Sequence, residues 1–596
     1  METRLNVLSL GVPEFAIKSG ELLEDYDKAE IPLVQSTEIS PGTFKHQLGI
    51  SASSIGPVLG NFDKLIEYPY GCTEQTMSRL IPSVVAMKLH KELGLPIDEK
   101  QSQRFAKVYK RSMAKLTDYQ HSDGGWGWWK NDPSNLYLTG LVMEGFDQLK
   151  QVGYQIDANQ IKHGLDWLKS ASEDLCKQLM DPKLTYSTNT NKKWQESEFS
   201  TDLAKNTYAL SLYKIKTPAK VTQWLMSRLS ILPPEALSYL TMAFKKNNDP
   251  RFEKTYKQLL YLANRTNDVV DWDHTKDLLK RLKLGGISNY DYTYRYTGIE
   301  TTALALRTVL AIEPGNTQLI ESIKRWVLLQ RDNNGWNNTK TTSQVFLALL
   351  EEQLSFNKNK NTNETLRIIL ADKLLKELHY NAENCYQAEE QISLSQLDKG
   401  KIDLDKSGPG RIYYNSLITY MRQLKADENI QAAGSPKGLS IGRSFYRLKP
   451  SATTSDGKIH FRSQLITDGI VQSGETVLMK ISVNSPINLP YMLLEAYLPS
   501  GAEVVQDSTK EDLIEANGDK DSVQGDWGCA WWSHQDILDD RIVFFSTDLK
   551  QGKSEFSTLV RMEMPGTYQI NPLRLEGMYA KNVRAYSNLD KIQVAK

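Results

Sequence analysis

The stretch YPYGCTEQTMSRLIPSVVAMKLHKEL, residues 68–93, leads from a loop into the first long helix of the chain. Apolar residues recur at helical spacing over 76–93, which predicts an amphipathic helix there. Cys72 and Gln75 come just before this helix and are three residues apart, a spacing at which side chains face each other in a helical turn. Gly71 is expected to permit a backbone conformation that a bulkier residue would resist.

A cysteine and a glutamine at this spacing can form an internal thioester. Loss of ammonia from the Gln75 side-chain amide would join its carbonyl carbon to the sulfur of Cys72. Because thiolate is a good leaving group, that carbon would be more electrophilic than an amide carbon and would have to be kept from water. Tyr68 and Tyr70, beside the pair in sequence, are candidates for this shielding. Once exposed, the thioester would be attacked by a lysine amine or a hydroxyl, and Cys72 would be released as a free thiol.

The region from about residue 60 to residue 355 has the periodicity of successive helices. Apolar stripes predict further helices at residues 134–152, 202–215, 300–312 and 341–354. Gly–Trp segments at 122–129 and 331–338 precede two of them, and their tryptophans are expected to wedge between stacked helices. Three helices share a start near a threonine, at Thr139, Thr301 and Thr341. Such helix pairs must stack to bury their stripes, as a closed ring of inner and outer helices or as an open solenoid.

The pattern changes to strands after about residue 365. Segments rich in aromatic and β-branched residues predict strands at 410–421, 476–485, 491–499, 541–549 and 557–570. In the second of these, alternation places Val477, Met479, Ile481 and Val483 on one face. The series indicates a C-terminal antiparallel β-sandwich. A strand at 46–51 suggests that the N-terminal residues join residues 365–425 in one small β domain, with the helical domain inserted between them.

Composition limits the classes of function. A chain of 596 residues is expected to hold three or more domains. Lys plus Arg and Asp plus Glu both number 72, so the zero net charge favours neither nucleic acid nor an anionic membrane as partner. No apolar run is long enough for a membrane-spanning helix. The N-terminal segment lacks the features of a signal peptide, so if the protein is exported, its signal is expected to lie upstream or to have been removed.

Cysteine and histidine spacing argues against a metal centre. Cys72, Cys176, Cys385 and Cys529 lie far apart, with no CxxC pair, and the eight histidines form no HExxH motif. We therefore expect neither a metal nor another cofactor. The three cysteines other than Cys72 are expected to be buried thiols, with a disulfide among them left open.

The spelling PYGCTEQT, residues 69–76, resembles the thioester signature of the alpha-2-macroglobulin and complement family, and YPYGCTEQT is similar to its bacterial branch. The resemblance covers most of the chain and implies a multidomain α + β fold. It assigns residues 1–55 and 359–430 to two parts of a CUB-like β domain. Residues 56–358 resemble the thioester domain, an α/α toroid, and residues 431–596 resemble a C-terminal macroglobulin-like, receptor-binding-type β-sandwich.

The resemblance also implies a function, that of a broad-spectrum protease inhibitor rather than an enzyme with turnover. In the family, an attacking protease cuts a bait region, and the rearrangement exposes the thioester, which captures the protease through a lysine. The terminal domain contributes shielding side chains, for which Met578 and Tyr579 are the matching candidates, ordinary sandwich packing being the alternative. The implied location is the periplasm or cell surface of a bacterium.

Two departures from the family pattern modify this expectation. The chain has no room for the upstream macroglobulin and bait domains, so it is expected to be a fragment or one of two polypeptides. Some complement relatives carry a catalytic histidine that directs the thioester towards hydroxyls. The corresponding stretch, residues 180–194, has none, and His163 falls too early. We therefore expect direct reaction with amines.

Three other classes of function compete with this interpretation. The Gly–Trp helix pairs also resemble the α/α-barrel triterpene cyclases and prenyltransferases, but the nearest match to the required DxDD cluster, residues 271–274, reads DWDH. Cys72 at a helix start could instead be the nucleophile of a papain-like protease. A third alternative is an adhesive module that binds passively and forms no thioester.

Overall fold

A computed structural model describes most of the chain. The described residues are 12–33, 39–56, 71–93, 99–181, 192–266, 268–273, 297–331, 335–336, 338–355, 363–381, 384–385, 389–394, 400–422, 438–453, 459–505, 513–515, 534–579 and 583–596. Tyr68, Tyr70 and Cys529 lie outside them. Cys72, Cys176 and Cys385 are buried free thiols. None of the described helices is both long and apolar enough to cross a membrane.

The middle of the chain is helical. Its α-helices within the described residues are α1 (Thr73–Leu93), α2 (Glu99–Asp118), α3 (Leu136–Gln151), α4 (Ala158–Met180), α5 (Lys192–Leu212), α6 (Ala219–Met226), α7 (Pro234–Lys246), α8 (Phe252–Tyr261), α9 (Gly298–Ile312), α10 (Thr317–Leu329) and α11 (Thr339–Ser355). A 3₁₀ turn (Leu229–Ile231) and a small hairpin of β4 (Asn264–Thr266) and β5 (Val269–Asp271) lie between them. The helices predicted at 76–93, 134–152, 202–215, 300–312 and 341–354 are all present.

The helices form a closed ring. Each odd-numbered helix packs against the next odd-numbered one, and α11 packs against α1, which completes an inner ring. The even-numbered helices pack outside it. Helix α7 is buried at every position from Pro234 to Phe244, whereas the outer helix α8 is buried at Thr255, Tyr256 and Leu259. Of the two arrangements that periodicity left open, the structure has the ring.

Three tryptophans join neighbouring helix pairs in the same way. Each is fully buried and donates its indole N–H to a carbonyl oxygen of the preceding outer helix: Trp126 to Leu116 (2.8 Å), Trp272 to Leu259 (2.8 Å) and Trp336 to Val327 (2.7 Å). Each also donates its backbone N–H to a threonine hydroxyl of the following inner helix: Thr139 (2.9 Å), Thr302 (3.0 Å) and Thr342 (2.9 Å). The repeated tryptophan and threonine signals are therefore two halves of one packing unit.

The helices are inserted in a small β domain. Its strands are β1 (Val12–Leu22), β2 (Lys28–Pro32), β3 (Lys45–Ser51), β6 (Asn363–Leu370), β7 (Lys373–Asn381), β8 (Glu390–Leu394), β9 (Lys401–Ser407) and β10 (Ile412–Arg422). They form two antiparallel sheets, of order β1-β10-β3-β8 and β2-β9-β6-β7. Residues such as Leu48, Ile50, Leu366 and Leu404 fill the core of this domain. Chain segments before and after the ring thus share both sheets.

The C-terminal part is a β-sandwich. Its strands are β11 (Ser440–Thr453), β12 (Ile459–Leu465), β13 (Ile470–Gln472), β14 (Glu475–Ser485), β15 (Leu489–Tyr497), β16 (Ala502–Val504), β17 (Leu513–Glu515), β18 (His534–Ile537), β19 (Arg541–Leu549), β20 (Gly552–Met562), β21 (Gly566–Ile570), β22 (Arg574–Gly577), β23 (Arg584–Tyr586) and β24 (Asp590–Ala595). They form sheets of order β16-β20-β14-β11-β12-β17, β18-β19-β15-β22-β23 and β13-β24-β21. The predicted inward face of β14, Val477, Met479, Ile481 and Val483, is fully buried. This architecture confirms the predicted multidomain α + β fold class.

The tryptophan–threonine unit can be tested at Thr302. Thr302→Val keeps the side-chain shape but removes the hydroxyl that accepts the backbone N–H of Trp272. This buried backbone N–H would lose its partner, so the free energy of unfolding of the helical ring should fall by about 1–3 kcal/mol. Chemical denaturation followed by far-UV circular dichroism measures the change. The control is Thr317→Val, at an exposed threonine, and equal losses in both variants would contradict the assignment.

Candidate functional site between the ring and the sandwich

Cys72 and Gln75 are brought together where α1 begins. The backbone N–H of Cys72 donates to Gln75 Oε1 (3.2 Å), and the backbone N–H of Gln75 donates to Cys72 Sγ (3.5 Å). The Cys72 carbonyl oxygen accepts the N–H of Thr76 (2.9 Å) and its hydroxyl (2.8 Å), which fixes the first turn of the helix. Both side chains are buried, so the polar groups of this turn satisfy one another away from water.

Gly71 leaves space beside the turn for neighbouring side chains. A Cβ atom on Gly71 would lie 2.8 Å from Lys115 Nζ and 3.0 Å from Arg79 Nη2. Glycine therefore leaves room for two cationic side chains beside Cys72.

An apolar cluster covers Cys72 from both domains, and we call it the seam. It contains Cys72 and Trp129 from the ring, and Leu493, Val543 and Phe545 from the sandwich. Tyr119, Trp128, Leu538 and Met578 pack against it. The thiol is 1% exposed. Burial raises the pKa of the Cys72 thiol to about 12, and Glu74 adds to this effect.

The ring contributes a rigid aromatic wall to the seam. The Trp128 carbonyl oxygen accepts the N–H of Thr73 (2.9 Å), which ties the loop before α3 to the start of α1. The Asp132 carboxylate accepts the backbone N–H groups of Trp128 (2.7 Å) and Trp129 (2.9 Å). This clamp holds both indoles over the Cys72–Gln75 turn.

The sandwich supplies the facing wall. The His534 ring stacks on Trp129 at a centroid distance of 4.0 Å, with Phe545 at 5.4 Å from the same indole. Trp128 faces Tyr491, 4.7 Å away between centroids. The contact between the two domains at this point is thus largely aromatic, which excludes water without adding unpaired charge.

Glu74 connects the turn to the sandwich by a hydrogen bond. Tyr579, which is 3% exposed, donates its hydroxyl to Glu74 Oε2 (2.8 Å), and Ser78 donates to the other carboxylate oxygen. Burial raises the pKa of Glu74, and the two donors oppose that rise. Burial also raises the pKa of Tyr579, so the phenol remains the donor.

Behind Glu74, charged side chains run through the centre of the ring, all of them buried except Glu351, which is partly exposed. Their ion pairs are Lys340–Glu300 (3.1 Å), Lys205–Glu144 (3.6 Å), Arg307–Glu144 (3.0 Å) and Arg307–Glu351 (3.0 Å). Burial raises the pKa of Glu300 to about 7, against the opposing charge of Lys340. Lys340 also lowers the pKa of Glu74, so the network reaches the candidate site.

The predicted site residues are partly accounted for. Cys72 and Gln75 adjoin each other, Met578 packs on the seam and Tyr579 reaches Glu74, whereas Tyr68 and Tyr70 fall outside the described residues. The sequence analysis missed the contacts that Trp128, Trp129, His534 and Phe545 make at the site, and it gave Glu74 no partner. The doubled tryptophan in GGWGWW was the available signal for the ring side. His534 and Phe545 carried none, because their contacts depend on how the two domains meet.

Comparison with known proteins identifies two of the domains. The family model "A-macroglobulin TED domain" matches residues 47–176, and "Bacterial Alpha-2-macroglobulin MG10 domain" matches residues 438–582. The chain is 27% identical over 334 residues to the alpha-2-macroglobulin of Thermotoga maritima, covering 55% of this chain and 16% of that protein. It is 22% identical over 602 residues to the alpha-2-macroglobulin of Escherichia coli K12, covering 96% of this chain and 31% of that protein. The chain thus spans less than a third of either relative.

Solved structures show the same fold. Native Escherichia coli alpha-2-macroglobulin, from domain MG7 to the C-terminus, superposes with a TM-score of 0.68 at 19% identity, over 98% of this chain and 82% of that one. Salmonella alpha-2-macroglobulin reacted with methylamine also gives 0.68, at 18% identity, over 98% of this chain and 34% of that one. The two matched segments therefore identify an A-macroglobulin TED domain and a bacterial alpha-2-macroglobulin MG10 domain in this chain, and these domains are what relate it to the bacterial alpha-2-macroglobulin family.

Proposed function

We propose that this chain is the thioester-bearing region of a protease inhibitor that captures attacking proteases covalently. The observation that carries the proposal is the buried Cys72–Gln75 pair, with its mutual hydrogen bonds, beneath the seam. Loss of ammonia from the Gln75 amide would join its carbonyl carbon to Cys72 Sγ. Family membership supports this chemistry, because the pair lies within the matched TED domain.

The proposed reaction is a single acyl transfer and not a catalytic cycle. A lysine amine of the protease attacks the side-chain carbonyl carbon of Gln75. The C–S bond then breaks, and its electron pair stays with the sulfur of Cys72. The product is an amide between the protease and Gln75, with a free thiol on Cys72. Direct attack by amines is expected, because residues 180–194, the stretch that corresponds to the catalytic histidine of some complement relatives, contain no histidine.

The seam is proposed to keep the thioester dry until the domains separate. Trp129, Phe545, Met578 and Tyr579 are the covering side chains in the described residues, and Tyr68 and Tyr70 remain candidates. Methylamine, which gained access to the solved Salmonella relative, is the expected small probe for this chain as well. Protease sensing is assigned to macroglobulin and bait segments that these residues do not contain, and the proposed location is the periplasm or cell surface.

Intact mass tests the thioester. The native protein should be lighter by one ammonia than its sequence requires, and methylamine should add its own mass while exposing one thiol. Cys72→Ala should abolish all three signals, whereas Cys176→Ala, at another buried cysteine, should preserve them. Heating should split the chain between Glu74 and Gln75. A Cys72 thiol that titrates fully before methylamine is added would sink the proposal and favour the cysteine protease or adhesive alternatives.

Removing the ring wall tests the shielding role. Trp129→Ala should open a path for water, so spontaneous thiol release from Cys72 should become several-fold faster without methylamine. The time course of reaction with a thiol reagent in buffer measures this rate. Trp326→Ala removes a partly buried indole packed on the core of the ring and is the control. If both variants release thiol at the wild-type rate, Trp129 does not shield the site.

Glu74 should make seam opening depend on pH. Its pKa is raised in the closed seam and would return towards its ordinary value once the seam opens. Opening therefore releases a proton, so it becomes easier as pH rises from the ordinary glutamate range to the raised pKa, and levels off above that. Glu74→Gln keeps an oxygen that can accept the hydrogen bond from Tyr579, but it replaces the carboxyl group with an amide that does not titrate.

Hydrogen exchange of the first turn of α1 measures this effect. The ratio of wild-type to Glu74→Gln exchange rates should increase with pH across that window. Comparing the two proteins at each pH removes the intrinsic dependence of exchange on pH. Glu503→Gln, at an exposed strand position, should give a flat ratio, and a flat ratio for Glu74→Gln would reject the linkage.

A further inference from the structure

Two cations flank the cysteine at the start of α1. Lys115 Nζ and Arg79 Nη2 occupy the space that a side chain on residue 71 would fill. Lys115 lies in the last turn of α2. Arg79 lies on α1, where its Nε donates to the backbone carbonyl oxygen of Gln75 (3.2 Å). Two positive groups from different helices thus converge beside the Cys72 peptide.

Lys115 is held there without an acidic partner. It is half-buried, packs over the Tyr119 ring at 5.1 Å and makes no ion pair within the described part of the chain. The Glu74 carboxylate is engaged by Ser78 and Tyr579 instead. Partial burial of an ammonium group away from a carboxylate is unfavourable, and it lowers the pKa of Lys115. This placement needs an explanation beyond fold stability.

We propose that Lys115, with Arg79, stabilises the negative charge that develops on Cys72 when the thioester opens. The inference rests on the proposed function. An amine adds to the Gln75 carbonyl carbon, the C–S bond breaks, and the bonding electron pair passes to Cys72 Sγ as thiolate. The proton lost by the attacking nitrogen passes to water, and the thiolate then takes up a proton from water. Lys115 gains and loses no proton in this sequence and acts through its charge.

Opposing influences act on a thiolate at Cys72. Burial and the Glu74 carboxylate raise the pKa of the thiol, whereas the backbone N–H groups of Gln75 and Glu74 and the charge of Lys115 lower it. Lys115 is thus the side chain that adds positive charge to the backbone donors of the turn. A thiolate would in turn raise the pKa of Lys115, so each charge favours the other. The other titratable groups that act on Cys72 or Lys115 are Arg79 on α1, whose charge lowers the pKa of Lys115, Asp536 on β18, which raises it, and the phenols of Tyr119 and Tyr579. At short range in a partly dry site, such a charge has a large effect on a leaving group.

The glycine before the cysteine then has a chemical role. An alanine at residue 71 would push the flexible ends of Lys115 and Arg79 away, at little cost to the fold. Gly71→Ala should therefore weaken the electrostatic effect while leaving both cations in the sequence.

The test uses the full chain as wild type, Lys115→Met, Lys115→Arg and Gly71→Ala. The rate at which methylamine releases the thiol is followed with a thiol reagent. Iodoacetamide labelling of the Cys72 peptide, read by mass spectrometry over a range of pH, gives the pKa of the thiol in each protein. Lys115→Met should slow release about tenfold and raise the thiol pKa by about one unit. Lys115→Arg should restore wild-type values, and Gly71→Ala should shift both in the direction of Lys115→Met.

Three results would overturn the inference. One is an unchanged rate and thiol pKa in Lys115→Met. Another is an equal change in Lys115→Met and Lys115→Arg, which would mean that packing matters and charge does not. The third is an isopeptide bond between Lys115 and Gln75 in the peptide map, which would make the lysine a nucleophile. If wild-type Cys72 is labelled before methylamine is added, the proposed function fails, yet the labelling profiles still decide whether Lys115 stabilises the thiolate.

Discussion

The structure depends on keeping one short turn, Cys72 to Gln75, buried between the helical ring and the C-terminal sandwich. The ring positions the turn by starting a helix there, and the sandwich closes over it. Neither domain can bury the turn alone, because Trp129 covers one side and Phe545 the other. The burial of this turn is therefore a property of the domain contact, and anything that separates the domains exposes it.

The charged centre of the ring extends this constraint inward. Glu144, Glu300 and Glu351 pair with Lys205, Arg307 and Lys340 in this centre. Burial raises the pKa of Glu300 to about 7 and also raises the pKa of Glu74, which the charge of Lys340 opposes. Buried charges are tolerated when they are paired and hydrogen-bonded. Through Lys340, the charge network of the inner helices therefore reaches the turn itself.

Sequence patterns were sufficient to predict helices and strands but not the contacts between the two domains. Helical periodicity located α1, α3, α9 and α11, and alternation identified the inward face of β14. The third tryptophan unit was missed because Trp272 lacks the glycine that marks Trp126 and Trp336, and its acidic neighbours suggested a cyclase motif instead. His534 and Trp129 stack although no local pattern links them, since that contact arises only from the relative placement of two domains. The space that Gly71 leaves could not be predicted, because Lys115 and Arg79, which occupy it, are brought there by the fold.

The two walls of the seam are built differently, and the difference bears on which one moves. The ring wall is held by the Asp132 clamp and by the hydrogen bond from Thr73 to Trp128, both within the ring. On the sandwich wall, Tyr491 has a left-handed backbone conformation with φ 53°. This conformation is unfavourable for a residue other than glycine. Its carbonyl oxygen accepts the N–H of Met578 (2.8 Å), so the residues that face the ring support one another. In the opening that we propose, the aromatic contacts between the two walls would be lost while the hydrogen bonds within the ring remain, so the turn would stay intact on the ring.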